Sequence, residues 1–270
     1  MLRSDVTDRP LKTVLSIAGS DSGGGAGIQA DLKAFVRCGV HGMTAITAIT
    51  AQNTVGVDRI EAISPETIVA QIKAVAEDIG VDAVKIGMLG DRPTIEAVAR
   101  GLDLVEGAPV VLDPVMVSES GADLLVVEAR DALVSQILPR ATVATPNIPE
   151  ARVITGLPET AGQSELAHAV VELGATSAVV TGGHSEAMVD LFYDGEREVE
   201  IEGEIHRAKT AHGSGCTHSS CLAAMLARGF DPVDAARRAR ELASEAVGNG
   251  LDIGAGPGPV DVIGLNRAFS

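Results

Sequence analysis

Short apolar runs alternate with amphipathic stretches along nearly the whole chain. An apolar run over residues 12–18 predicts a buried strand, and apolar residues then recur at helical spacing from Ile28 to Val36. The same alternation predicts further strands at 43–51, 83–87, 109–112, 142–145 and 177–181, and helices at 65–79, 94–105, 128–138, 149–155, 164–173, 216–228 and 232–248. Repeated strand–helix units predict right-handed crossovers and an α/β fold with a largely parallel sheet.

One pair of predicted strands departs from this alternation. Residues 188–193 and 198–201 flank Asp194-Gly195, a dipeptide typical of tight β-turns, and therefore predict a hairpin. No internal repeat or flexible linker interrupts the chain. We expect an N-terminal extension over residues 1–11 and a single domain over residues 12–270, with ligands bound at the carboxyl ends of the parallel strands.

Composition narrows the classes of function. The formal net charge of −16 argues against nucleic acid as a partner, because phosphate binding needs clustered Lys and Arg. The absence of Trp, with one Tyr and four Phe, predicts an aliphatic core. The three cysteines form no metal-binding pair, and neither a signal peptide nor a membrane-spanning run is visible. We expect a cytoplasmic protein without a membrane partner.

Two glycine-rich segments follow predicted strands. In residues 19–31 (GSDSGGGAGIQAD), backbone amides can approach a ligand closely, although the segment could be only a flexible turn. Residues 210–217 (TAHGSGCT) precede a helix of small residues, so their amides are expected to form an anion hole for a transferring phosphoryl group. The amides concerned are those of Gly213, Ser214, Gly215 and Cys216.

The thiol of Cys216 is a candidate base. The helix dipole would lower its pKa, so that it would be partly thiolate at neutral pH. The alternative interpretation is a small buried cysteine at the start of a tightly packed helix.

Three further strand ends carry polar side chains. Gln52, in TAQNT, offers a donor and an acceptor to an aminopyrimidine edge, although such a residue is more often part of an ordinary turn. Asp113 and Glu150 each follow a strand, and a carboxylate pair there would suit Mg²⁺, which keeps waters and phosphate oxygens among its ligands. Glu150 could instead only stabilise a helix N-terminus.

Six segments of the chain, taken in order, resemble the hydroxymethylpyrimidine/phosphomethylpyrimidine kinases of the ribokinase-like superfamily. They are GSDSGGGAGIQAD, TAQNT, KIGML, LDPVM, TPNIPE and HGSGC. The resemblance extends from about residue 12 to residue 260. It implies a three-layer α/β/α sandwich with a central, mostly parallel sheet and a small β-hairpin addition. It also implies Mg²⁺- and ATP-dependent phosphorylation of 4-amino-5-hydroxymethyl-2-methylpyrimidine (HMP), and then of HMP phosphate to the diphosphate, in thiamine biosynthesis. A homodimer is usual for this family.

The resemblance also assigns roles to individual positions. The polar contacts of the pyrimidine match Gln52 and Asp31, and the pocket walls match Gly19, Ala26, Met88 and Val115. The metal and nucleotide region matches Asp113, Glu150, Asn147, Thr181 and Gly183. The anion hole and the base match Gly213, Ser214, Gly215 and Cys216.

Four positions depart from the family pattern. Thr181 and Glu119 stand where Lys is usual, Ala211 stands where Asn is usual, and His218 stands where Leu is usual. The two missing positive charges leave the anion hole with a larger share of phosphate stabilisation than in a typical relative.

Two other functions stay open at this point. A pyridoxal or pyridoxine kinase can share the glycine–cysteine loop, although Gln52 favours the aminopyrimidine. A non-catalytic pyrimidine-sensing module would keep the pocket alone. The presence of Cys216, Asp113 and Glu150 argues against a sensor, which needs neither a base nor a metal.

Overall fold

The structure, a computed structural model, describes residues 10–118, 121–182, 189–204, 206 and 210–265. Its strands are β1 (Thr13–Asp21), β2 (His41–Gln52), β3 (Val57–Ala62), β4 (Ala83–Ile86), β5 (Val110–Leu112), β6 (Val143–Ala144), β7 (Ala178–Val180), β8 (Asp190–Tyr193) and β9 (Glu198–Ile201). Its helices are α1 (Gly27–Arg37), α2 (Pro65–Asp78), α3 (Arg92–Leu102), α4 (Arg130–Ala132), α5 (Ile148–Thr155), α6 (Gln163–Glu172), α7 (Ser214–Ala227) and α8 (Pro232–Gly248). Short 3₁₀ and π turns flank α4.

These strands form one sheet in the order β3-β2-β1-β4-β5-β6-β7-β8-β9. The six strands from β2 to β7 in this order are parallel, whereas β3, β8 and β9 pair antiparallel to their neighbours. The expected mostly parallel sheet and the added hairpin are therefore confirmed. Because the central strands run in one direction, their carboxyl ends share one edge of the sheet.

Helices cover both faces of the sheet and bury two aliphatic clusters. Side chains such as Ile72 and Ile95 pack on the face covered by α2, α3, α5 and α6. Phe35 and Leu222 pack on the opposite face, which α1, α7 and α8 cover. Helix α7 is buried from Thr217 to Ala227, so its small residues place its N-terminus directly against the sheet edge.

Local sequence explains where several helices begin. Helix α2 starts with Pro65 after Ser64, whose side chain accepts the backbone N–H of Thr67. Helix α8 starts in the same way with Pro232 after Asp231. A capping side chain satisfies an amide that lacks a helical partner, and proline fits the first turn because it has no N–H to satisfy.

One strand, β3, was absent from the sequence prediction. Five of its six residues are exposed, and it pairs only with β2 at the edge of the sheet. An edge strand that buries almost nothing has no hydrophobic pattern to reveal it. Several boundaries also differ: for example, β1 continues to Asp21, beyond the predicted end at residue 18, and α7 begins at Ser214 instead of Cys216. The prediction of one helix over residues 128–138 is wrong, because this segment consists of short 3₁₀, α and π turns.

Within the described ranges, no helix is both long and apolar enough to cross a membrane.

Candidate active site

A cavity of about 260 Å³ lies at the carboxyl ends of the parallel strands, against the N-terminus of α7. The predicted site residues that line it are Gly19, Ala26, Gln52, Met88, Asp113, Val115, Asn147, Glu150, Thr181, Gly213, Ser214, Gly215 and Cys216. The fold therefore brings together segments that are up to about 200 residues apart, as the principle of ligand binding at strand ends predicts. Gly183 and Glu119 lie outside the described residues.

The first glycine-rich loop is held by its own aspartate. The carboxylate of Asp21 accepts backbone N–H groups from Gly23 at 2.8 Å, Gly25 at 3.0 Å and Ala26 at 2.8 Å. The amide of Gly24 donates to the backbone oxygen of Asp21. The amides of residues 23–26 each have a partner within the loop and so are not available to a ligand in this conformation, although Gly19 and Gly27 of the same segment line the cavity.

The loop before α7 leaves fewer amides available to an anion than the sequence predicts. Ser214 N–H donates to Ala211 O at 3.0 Å in a turn, which removes it from the predicted set of amides. No described residue accepts a hydrogen bond from the amides of Gly213, Gly215 or Cys216. Gly213 has φ +82°, and a Cβ at this position would collide with Gly25 O. Only glycine can therefore form this close turn.

The prediction that Cys216 is partly thiolate at neutral pH is wrong. Burial raises the pKa of its thiol to about 12. The charge of Lys85 and a hydrogen bond from Gly27 N–H oppose this increase, whereas the carboxylates of Asp113 and Asp31 add to it. The helix N-terminus was visible in the sequence, but the surroundings of this half-buried thiol at the cavity wall were not.

Asp31 lies behind the cavity wall and does not line the cavity. Its side chain is fully buried and accepts Ser16 Oγ at 2.6 Å, Ser220 Oγ at 2.7 Å and Lys85 Nζ at 2.9 Å. A carboxylate with three partners and no exposure does not reach a ligand directly. The direct contact predicted for Asp31 is therefore corrected to a supporting role through Lys85, which does line the cavity.

Asp113 and Glu150 form an acidic wall. Burial raises the pKa of Asp113 despite the nearby charge of Lys85 and a hydrogen bond from Ser219. Burial and the charge of Asp113 raise the pKa of Glu150 to about 8. A buried and a half-buried carboxylate, both with raised pKa, are a donor set that a cation would stabilise.

Glu150 also has the structural role that was its alternative interpretation. It accepts Asn147 N–H at 3.0 Å and donates its own N–H to Asn147 Oδ1 at 2.9 Å, which is a capping box at the start of α5. Among the described residues, no three His, Cys, Asp or Glu side chains are arranged to hold a metal ion. The two carboxylates alone fit Mg²⁺, which takes most of its ligands from water and phosphate.

Gln52 lies at the end of β2, on the other side of the cavity. Its Oε1 accepts Thr50 Oγ1 at 3.1 Å, and none of the described residues accepts a hydrogen bond from its side-chain nitrogen. The oxygen has a second lone pair, so both halves of the amide can still bind a ligand. Gly19 and Met88 lie against each other nearby, with 3.1 Å between an added Cβ and the methionine methyl group.

Sequence reasoning assigned no role to three residues at this site: Lys85, Asp21 and His212. Lys85 is fully buried in β4, and a lone lysine in the otherwise apolar AVKI was a usable signal of a buried cation. His212 Nε2 lies 3.0 Å from Asp21 Oδ2. No local pattern pairs these two residues, which are 191 positions apart.

A family model described as phosphomethylpyrimidine kinase matches residues 21–261. The hydroxymethylpyrimidine/phosphomethylpyrimidine kinase of Rhizobium meliloti is 46% identical over 253 residues, which cover 91% of this chain and 95% of the relative. The solved pyridoxal kinase of Bacillus subtilis in complex with ADP has a TM-score of 0.87 and 38% identity, covering 95% of this chain and 99% of that one. A solved phosphomethylpyrimidine kinase of Clostridium difficile has a TM-score of 0.75 and 39% identity, covering 85% and 96%. The ribokinase-like fold is thereby confirmed.

Proposed function

The chain belongs to the phosphomethylpyrimidine kinase family, and on that premise we propose that it phosphorylates HMP and then HMP phosphate with ATP, in thiamine biosynthesis. The observation that carries this proposal is a shared cavity. The same cavity of about 260 Å³ is lined by Gln52 on one wall and by the free amides at the N-terminus of α7 on another. One cavity lined by an amide side chain and by free backbone amides supports a site that binds a pyrimidine and a phosphoryl group together.

In this mechanism the amides of Gly213, Gly215 and Cys216 stabilise the charge on the transferring phosphoryl group. Gln52 orients the pyrimidine so that its hydroxymethyl oxygen points at the phosphorus. Asp113 and Glu150 would hold the Mg²⁺ of Mg-ATP, which supplies charge neutralisation at the phosphates. Asn147 and Thr181, whose backbones are bridged at the ends of β6 and β7, border the nucleotide side.

The two phosphorylations place different demands on Cys216. The hydroxyl of HMP must lose a proton, and only the minor thiolate form of Cys216 can accept it. The phosphate of HMP phosphate has a second pKa of about 6, so it needs little help from a base. Replacing Cys216 with alanine is therefore expected to slow the first step more than the second, and equal losses in the two steps would contradict a base role.

A pyridoxal kinase is the second candidate, because the Bacillus subtilis pyridoxal kinase has the same fold at a TM-score of 0.87. Phosphate transfer from ATP to HMP, HMP phosphate and pyridoxal, measured side by side, separates the two. Turnover of the two pyrimidines supports the proposal. Turnover with pyridoxal alone contradicts it.

The role of Gln52 has its own test. Gln52→Glu keeps an acceptor oxygen at this wall but replaces the amide donor with a second acceptor, whereas Gln52→Ala removes both the donor and the acceptor. If Gln52 reads the pyrimidine, KM for HMP rises in both variants while KM for ATP stays within about twofold. Equal increases for both substrates would show a general loss of the site instead.

We also propose a homodimer. Exposed apolar side chains lie in and beside the edge of the sheet, with Ile49 51%, Val55 60% and Ile60 43% exposed. A second copy would cover this surface. Sedimentation that gives a single chain's mass at micromolar concentration would contradict the dimer.

A further inference from the structure

Two loops that line different walls of the cavity are joined by one buried pair of side chains. His212 Nε2 lies 3.0 Å from Asp21 Oδ2, and the side chains are only 10% and 2% exposed. Asp21 ends β1, and His212 lies in the loop before α7. The pair therefore links the first glycine-rich loop to the loop of the anion hole.

Asp21 fixes the conformation of its own loop. Its carboxylate accepts the amides of Gly23, Gly25 and Ala26 in addition to His212. Burial alone would raise the pKa of Asp21, but the hydrogen bonds from His212, Ala26 and Gly23 lower it below its ordinary value. The carboxylate is thus a permanent acceptor around which the loop is organised.

His212 is fixed through both its side chain and its backbone. Its backbone oxygen accepts Val260 N–H at 3.1 Å, which ties it to the segment after α8. A Cβ added to Gly25 would collide with the His212 ring, so the ring lies directly on the backbone of the first loop. The imidazole therefore has little freedom to move.

The residues on both sides of His212 form the turn that opens the anion hole. Ala211 O accepts Ser214 N–H at 3.0 Å, and Gly213 adopts φ +82° between them. This arrangement leaves the amides of Gly213, Gly215 and Cys216 available to a ligand. A glycine-rich turn has many alternative conformations, so it needs an external contact to hold this one.

We propose that the Asp21–His212 pair positions the anion hole, and that His212 is a positioning residue for phosphoryl transfer. The inference rests on the proposed phosphoryl transfer but not on the identity of the alcohol. His212 acts through the amides next to it and does not touch the reacting atoms. Because the amides must already be in place when charge develops, loss of the pair weakens binding of the transition state more than binding of the substrates.

The test compares His212→Ala, which removes the donor, with His212→Gln, whose side-chain nitrogen can still reach Asp21. His168→Ala is the matched control, because His168 Nε2 makes a similar contact with Glu198 Oε2 at 2.7 Å but lies on the surface. The measurements are kcat and KM for each substrate, and the affinities for Mg-ADP with and without aluminium fluoride, which mimics the transferring phosphoryl group.

For His212→Ala we expect kcat to fall about 100-fold, the size of effect seen when an anion-hole donor is lost. The extra affinity gained on adding aluminium fluoride should fall by a similar factor, while both KM values stay within about threefold. His212→Gln should recover most of both quantities, and His168→Ala should change neither. If His212→Ala does not fold, His212→Asn replaces it, because asparagine is too short to reach Asp21.

Two results would overturn the inference. One is a variant without the donor that loses thermal stability but keeps kcat and the aluminium fluoride effect. The other is an increase in KM alone. Failure of the proposed function looks different. The wild-type protein would then phosphorylate neither HMP nor pyridoxal, and aluminium fluoride would not improve its affinity for ADP.

Discussion

Helix α7 packs against two buried polar clusters that differ in how completely their charged groups are hydrogen-bonded. In the lysine cluster (Ser16, Asp31, Lys85 and Ser220), Asp31 accepts all three other side chains at 2.6–2.9 Å. In the histidine cluster (Asp190, His218 and Arg240), Asp190 Oδ2 lies 3.8 Å from His218 Nε2 and 3.7 Å from Arg240 Nε. Neither His218 Nε2 nor Asp190 Oδ2 has a hydrogen-bond partner among the described residues.

The contrast shows what keeps a buried group charged. Burial alone would lower the pKa of Lys85, but the charge of Asp31, its hydrogen bond and the charge of Asp113 raise it above its ordinary value. Burial lowers the pKa of His218, and a carboxylate at 3.8 Å does not reverse the shift. The charge of Lys85 persists beneath the N-terminus of α7 because an opposite charge accepts its hydrogen bond at 2.9 Å, whereas the histidine on the same helix stays neutral.

The largest expected effect comes from breaking the lysine cluster. Lys85→Met leaves Asp31 without its cation and should lower the free energy of unfolding by about 3–5 kcal/mol, because one partner of a buried pair is removed. Lys73→Met is the matched control, since Lys73 forms an exposed pair with Glu77 at 3.7 Å. Urea unfolding measures the free energy of unfolding of both variants. Equal, small losses would show that the buried pair contributes no more than a surface pair.

A smaller loss is expected from one neutral partner of the same cluster. Ser220→Ala removes a hydrogen bond to the Asp31 carboxylate and should cost about 1.5–3 kcal/mol of unfolding free energy. Ser135→Ala removes an exposed hydroxyl bonded to a backbone oxygen, and should cost under about 0.5 kcal/mol. If the two substitutions lower the free energy of unfolding equally, the hydrogen bonds to Asp31 are not what distinguishes the lysine cluster.

These two clusters mark the limit of prediction from the sequence. Apolar runs revealed the parallel strands, and the principle that ligands bind at strand ends placed Gln52, Asp113 and Cys216 around one cavity. Asp31 was misassigned because its partner Lys85 is 54 residues away, and no local pattern connects them. The raised pKa of the Cys216 thiol likewise depends on contacts across the fold, whereas the helix N-terminus that suggested a lowered pKa is a local feature.

Replacing the histidine of the histidine cluster should raise the free energy of unfolding, whereas the two substitutions in the lysine cluster lower it. His218→Leu removes a buried nitrogen that lacks a hydrogen-bond partner among the described residues and puts an apolar side chain at this position of α7. The free energy of unfolding should rise by about 1 kcal/mol at pH 7.5, because the desolvation cost of that nitrogen disappears. His168→Leu, at an exposed histidine, should change it by under about 0.5 kcal/mol. A loss of stability in His218→Leu would show that packing of the imidazole outweighs its missing hydrogen bond.

The smallest expected effect is a change with pH in the difference between the unfolding free energies of His218→Leu and the wild type. Burial, opposed by Asp190 and reinforced by Arg240, holds the pKa of His218 in the folded protein below its ordinary value of 6.5. Below pH 6.5 the unfolded chain therefore binds more protons at this residue than the folded protein, so the wild type loses stability as pH falls. His218→Leu has no such proton to bind. The unfolding free energies of the two proteins should consequently diverge between pH 7.5 and 5.5, in favour of the variant. Comparing the two proteins at each pH removes the contributions of the titrating groups that they share. Parallel curves would mean that His218 has the same pKa in the folded and the unfolded protein.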